Sequence, residues 1–166
     1  ARTRIARTCN VKPDELLFTS GGTESNSLAI LGHVRALKKA GRAYSDMHIV
    51  TTTLEHSSTK NACEIAAELG VSVSYVKPRH GTIALDDILS EIGSRSIMVT
   101  IHHVQSETGT VQRVADIARA VKKKNPTTIV HVDAAQSPLW LDVGPHRLIA
   151  DLVTYDAQKV QGPKGV

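Results

Sequence analysis

The sequence predicts an α/β fold, a three-layer α/β/α arrangement around a mostly parallel sheet. Three observations predict it. Short apolar, β-branched runs alternate with stretches of helical periodicity along nearly the whole chain. Turn residues separate the two kinds of segment. The residues with chemical potential fall just after the predicted strands, where open parallel sheets bind ligands.

The elements follow in order. Residues 1–8 hold three arginines and no apolar block, which excludes a secretory signal. They read as a cut-off surface helix or, being Arg-rich and acid-free, as a transit-type segment. Residues 16–19 read as a strand. A helix follows over 23–39, with Leu28, Leu31 and Ala36 among its apolar positions, and Gly41 closes it. A strand at 48–52, a helix at 56–69 and a strand at 71–76 come next. Residues 85–92 form a short helix after the His80-Gly81 turn. The run 96–101 has the character of a buried strand. An amphipathic helix spans 114–124, a strand spans 127–132, and another strand begins at 151–154.

Composition narrows the classes. A length of 166 residues supports one domain, 1–166, with its own core. Apolar residues make up 41% and charged residues 22%, ordinary globular usage, and no apolar run reaches membrane-spanning length. Two cysteines, Cys9 and Cys63, make no disulfide framework, so a cytoplasmic setting is expected. The net charge of +4 is scattered except at Lys122, Lys123 and Lys124, where cations suit a helix C-terminus. With few aromatics, this is a solvated face and not a nucleic-acid surface. The eight histidines and two cysteines lack zinc-ligand spacing, and no metal site is expected. His102 and His103 are adjacent on a strand and face opposite sides.

Four segments can carry chemistry. In Ser20-Gly21-Gly22-Thr23-Glu24, glycines allow close backbone approach. The following helix N-terminus then offers N–H groups to a phosphate. A glycine turn that merely caps a helix would look the same. In His131-Val132-Asp133-Ala134-Ala135-Gln136, a carboxylate after a buried strand needs a partner. Asp133 could hold a proton on a heteroaromatic nitrogen, or simply cap a helix. In Asp156-Ala157-Gln158-Lys159, a lysine before a Gly-Pro turn can form a Schiff base if its pKa is lowered. Lys164 is the rival lysine. In Leu54-Glu55-His56, an imidazole can stack on a ring or shuttle protons, or be structural.

Together and in this order, these segments resemble the class V aminotransferase and cysteine desulfurase (NifS-like) family of pyridoxal-phosphate (PLP) enzymes. Residues 18–30 resemble the family's FTSGGTExxNLAI segment, and Glu55-His56 its EH motif. Residues 107–112 resemble NNEIGTIQ. His131 to Gln136 is similar to HVDAxQ, and residues 159–165 to HKxxGPKG. The resemblance implies a fold type I large domain and the cofactor pyridoxal 5'-phosphate. It implies that Lys159 carries the cofactor and moves protons, that Asp133 pairs with the pyridine nitrogen, and that Gln136 bonds the phenolic oxygen. His56 would stack over the ring as acid or base, and Gly22 and Thr23 would hold the phosphate. The implied activity is removal of sulfur from cysteine, giving alanine and a persulfide. A homodimer and a sulfur-acceptor protein are the implied partners.

Departures from the family pattern are equally specific. Gln105-Ser106-Glu107 stands for Asn-Asn-Glu, so Ser106 replaces the asparagine directed at the phenolic oxygen. Asp156-Ala157-Gln158 stands for Ser-Gly-His. Gln158 can still donate to phosphate, whereas Asp156 must turn away, meet a cation or weaken the phosphate site. The resemblance also places several parts outside these residues: an amino-terminal segment, the small domain, the substrate-carboxylate arginine and the loop with the nucleophilic cysteine. Cys63, in a predicted helix, reads as a small buried residue. The alternatives are a selenocysteine lyase, another class V aminotransferase, or a non-catalytic scaffold that has lost PLP.

Overall fold

The computed structural model describes residues 1–165, and Val166, the last residue of the predicted domain, lies outside the described residues. Five strands form one sheet: β1 (His48–Thr52), β2 (Ser72–Val76), β3 (Ser96–His102), β4 (Ile129–Asp133) and β5 (Leu152–Thr154). Their order is β2-β1-β3-β4-β5, and each pairing is parallel. The helices are α1 (Arg2–Cys9), α2 (Gly22–Lys39), α3 (Ser57–Glu68), α4 (Leu85–Glu91), α5 (Val114–Lys124) and α6 (Pro145–Leu148).

Two apolar clusters cover the two faces of the sheet, which gives the three layers. Ile30 and Val34 of α2, with Ala62, Cys63 and Ala66 of α3, pack on Ile49 and Met98. On the other face, Ile88 of α4, Leu148 of α6, and Val114, Ile117, Ala118 and Val121 of α5 pack on Val50, Val99, Ile101, Val130 and Val132. The α5 spacing i, i+3, i+4, i+7 makes one stripe. Each large aliphatic side chain buried there contributes about 1.5–3 kcal/mol. Lys122 at the end of α5 pairs with Asp151 at 2.6 Å, anchoring the helix against the start of β5.

The structure corrects two expectations. Residues 16–19 are not a strand; no strand edge pairs with them, and Leu17 and Phe18 are exposed. The segment is instead held by Arg2, which donates to the carbonyls of Pro13 and Leu16 and stacks 4.9 Å over the Phe18 ring. In α2 the buried positions are Gly22, Asn26, Ile30 and Val34. Leu28 and Ala36 are exposed and Leu31 is half-buried. The i, i+4, i+8, i+12 stripe therefore includes an asparagine and excludes the leucines. The arginine-rich start is a helix. No helix among the described residues is long and apolar enough to cross a membrane.

Candidate active site

The strand order creates the site. The chain runs from β1 outward to β2, then returns past β1 to lay down β3, β4 and β5. The crossover direction changes between β1 and β3, and loops leaving those two strands diverge there. A cleft of about 830 Å³ opens at these carboxyl ends. It brings together the sequence-predicted residues Gly22, Thr23, His56, Ser106, Asp133, Gln136, Gln158 and Lys159. Lys164 is not among its lining residues.

On the α2–α3 face, the sheet turns from apolar to polar toward this end. Met98 and Ile129 pair low in the sheet, then Thr100 with His131, then His102 with Asp133. His131 is fully buried between the hydroxyls of Thr100 at 2.8 Å and Thr154 at 3.0 Å. Burial pushes its pKa down to about 4, against a smaller opposing pull from Asp133. The imidazole beneath the site is thus neutral at pH 7.

Asp133 ends β4 only 8% exposed. Its Oδ1 accepts from the Ala135 N–H at 3.0 Å, and its Oδ2 accepts from the Asn26 side-chain amide at 2.7 Å. The same Asn26 Nδ2 donates to Ser58 Oγ at 2.9 Å. His56 caps α3 with its ring: Nδ1 accepts the Ser58 N–H at 3.2 Å and lies 2.8 Å from Ser58 Oγ. The imidazole substitutes for the usual side-chain oxygen at a helix start.

Glu55 and His102 form a buried pair in the cleft wall, Nδ1 to Oε1 2.8 Å, and Thr52 Oγ1 donates to the same oxygen at 2.6 Å. Glu55 Oε2 and His102 Nε2 are buried without a hydrogen-bond partner among the described residues. His103 lies just past the end of β3, buried and not among the residues lining the cleft, and burial lowers its pKa.

The glycine loop reaches the cleft without a preceding strand. Gly21 caps α2 at φ 139°, a region that favours glycine, and Glu24 reaches back to accept the Ser20 N–H at 2.6 Å. Gly22 lies directly against Asp156: a Cβ there would sit 3.4 Å from Asp156 Oδ2, in van der Waals contact. Asp156 is buried and does not turn away. Its Oδ1 accepts the Gln158 N–H at 3.2 Å, and its Oδ2 lies 3.4 Å from Gln158 Nε2. Among the described residues it has no ion pair with a cation. Gln158 is therefore directed at Asp156. Across the cleft, Gln105 closes its own loop by accepting from the N–H groups of Glu107 and Thr108, leaving Ser106 exposed at the rim.

The cysteines are unsuited to nucleophilic attack. Cys63 is buried, and burial pushes its thiol up to about 12. Cys9 is half-buried and is also raised by burial. No cluster of metal-ligating side chains occurs among the described residues.

This donor set fits a phosphorylated, cationic heteroaromatic ring. A buried carboxylate held by two donors suits a protonated ring nitrogen. A glycine turn at a helix N-terminus suits a phosphate. A lysine lines the space with them. One carboxylate, Asp156, stands at the phosphate end.

Fold and cleft together define a three-layer α/β domain built to hold such a cofactor at its strand ends. The chain belongs to the class V aminotransferase family, whose model, Aminotransferase class-V, matches residues 1–166. The family's cofactor is pyridoxal phosphate. A cysteine desulfurase IscS from Buchnera aphidicola subsp. Baizongia pistaciae is 36% identical over all of this chain and 40% of its own length. Another, from Dictyoglomus turgidum, is 34% identical over all of this chain and 41% of its length. Among solved structures, a NifS-like protein matches with TM-score 0.89 and 33% identity, covering 99% of this chain and 44% of its own. SspA in complex with cysteine matches with TM-score 0.87 and 35% identity, covering 99% and 46%. The chain spans about two-fifths of the length of the curated relatives it matches.

Sequence reasoning missed Asn26, Ser58 and the pairing of His102 with Glu55. Asn26 carried a usable signal: it shares a helical stripe with Ile30 and Val34, so it must be buried and needs partners.

Proposed function

We propose that the full-length protein is a PLP-dependent enzyme of the cysteine desulfurase type, and that this segment supplies the cofactor face of its site. The observation that carries the reading is the convergence of Lys159, Asp133, His56 and the Gly22 turn on one cleft. Bound PLP supplies an aldehyde that condenses with amines and a ring that withdraws electrons from the substrate's α-carbon. Lys159 provides the anchoring amine and then carries the proton to and from that carbon. Asp133 keeps the ring nitrogen protonated. Gln136 and Ser106 face the phenolic oxygen, Gly22 and Thr23 bind the phosphate, and His56 covers the ring face as acid or base.

Cysteine is the substrate of this reading, because one structural neighbour, SspA, is solved in complex with cysteine. The products are alanine and a persulfide on a cysteine outside this segment, since neither Cys9 nor Cys63 is an accessible thiolate. A homodimer, a sulfur-acceptor protein and a cytoplasmic setting complete the proposal.

The test reduces the full-length holoenzyme with borohydride and maps the modified peptide. A pyridoxyl group on Lys159 and cysteine-dependent sulfide release are expected. Labelling of Lys164 with Lys159 free overturns the assignment. A colourless protein that takes up no PLP overturns the enzyme reading in favour of a scaffold.

A further inference from the structure

We infer that Asn26 and Ser58 are positioning residues that fix the protonation geometry of His56 and tie it to Asp133. The inference rests on the reading that the cleft holds PLP between these two groups.

The hydrogen bonds assign their own direction. The Asn26 side-chain amide nitrogen donates to Asp133 Oδ2 at 2.7 Å. That nitrogen has a second hydrogen, and Ser58 Oγ at 2.9 Å accepts it. The Ser58 backbone N–H, which can only donate, is aimed at His56 Nδ1 at 3.2 Å, so that nitrogen is an acceptor and the Ser58 hydroxyl 2.8 Å away turns its single hydrogen to it. Two donors aimed at Nδ1 leave no room for a proton there. Neutral His56 therefore carries its hydrogen on Nε2, the position free to act in the cleft.

The path Asp133–Asn26–Ser58–His56 runs from β4 through α2 to α3 along the cleft wall. Asn26 is 1% exposed and Ser58 6%, while His56 is exposed. Both linking residues are thus shielded from solvent that could replace these bonds. The two groups proposed to meet the cofactor, one at the ring nitrogen and one over the ring, share one polarised chain. Loss of the Ser58 hydroxyl would cut it, leaving Nδ1 with a single weak donor and free to take a proton.

The test uses the full-length protein. Histidine ring ¹⁵N spectra of the cofactor-free form report the tautomer of His56, with His56→Gln assigning the signal. The expected wild-type state is protonated on Nε2 alone. Ser58→Ala should give a mixture of tautomers and shift the pH midpoint of the His56 signal, and Ser58→Thr should restore both. In the holoenzyme, Ser58→Ala should lower kcat by about tenfold while KM changes much less. Should Ser58→Ala fail to fold, Ser58→Cys, a much weaker donor of similar size, reads the same shift. An unchanged Nε2 tautomer and pH midpoint in the alanine variant, or a wild-type proton on Nδ1, overturns the inference. Failure of the wild-type protein to label Lys159 overturns the cofactor reading instead, and leaves the tautomer result standing.

Discussion

Asp156 and Asp133 are both buried to the same 8% exposure, yet their surroundings give them opposite work. Asp133 has two donors, including a side-chain amide, and can hold a cationic ring nitrogen. Asp133→Asn fills the same space without the charge. The variant should keep its thermal midpoint within a few degrees, while kcat falls by about a hundredfold or more, the range lost with a key charge. Wild-type turnover in the folded variant would reduce Asp133 to a cap. Under the proposed cofactor reading Asp156, whose Oδ2 lies beside Gly22, would instead oppose the phosphate, because a carboxylate that accepts only cannot donate to it. Among the described residues no cation offsets it. Serine in its place would still cap the Gln158 turn and would add a donor. Asp156→Ser in the full-length protein should therefore tighten PLP binding by about tenfold, equivalent to ~1.4 kcal/mol. Equilibrium titration checks it, and weaker binding would show that a cation from the rest of the chain pairs with Asp156.

At the scale of elements, the strands from β1 to β5 and the helices from α2 to α5 were legible because each runs on local period and clear stops. Val114, Ile117, Ala118 and Val121 announce α5 by spacing alone. Residues 16–19 misled because an apolar, β-capable run is a strand only if an edge pairs with it, and pairing is a tertiary fact. The motif residues were legible by order, but their wiring was not. Ser58 gains meaning only when α3 packs on α2 and brings it 2.9 Å from Asn26. The α2 stripe gives an element-scale prediction. Ile30 is fully buried against the sheet, so Ile30→Ala should lower stability by about 2–5 kcal/mol, read from denaturant unfolding. The exposed Leu28 should tolerate alanine within about 0.5 kcal/mol. Equal costs at the two positions would mean that α2 presents a different face in the full-length protein.

For the whole molecule, buried imidazoles set an acid limit. Burial lowers the pKa of His131 to about 4, and also lowers those of His33, His48 and His103. A histidine depressed in the folded state takes its proton later than in the unfolded chain. As pH falls below the ordinary value near 6.5, the unfolded state gains protons first and stability declines. For His131 the decline runs down to about pH 4 and then levels, since both states are protonated below that. Exposed Glu24 and Asp116 act lower still: their pKa values are depressed, by the Ser20 N–H and by Arg113 respectively, so their contribution is lost as pH falls through those values. Across the histidine window one proton per group corresponds to a slope of about 1.4 kcal/mol per pH unit. The thermal midpoint of the cofactor-free full-length protein should be nearly flat from pH 8 to 7 and fall steadily from about 6.5. His131→Gln can keep both threonine hydroxyls bonded through its amide, as the ring does now. The variant should flatten the acid limb by about one proton's worth of slope while leaving the neutral plateau within about 1 kcal/mol. An acid limb as steep as the wild type's would mean that His131 is already protonated in the fold, and that Thr100 and Thr154 accept from a cation.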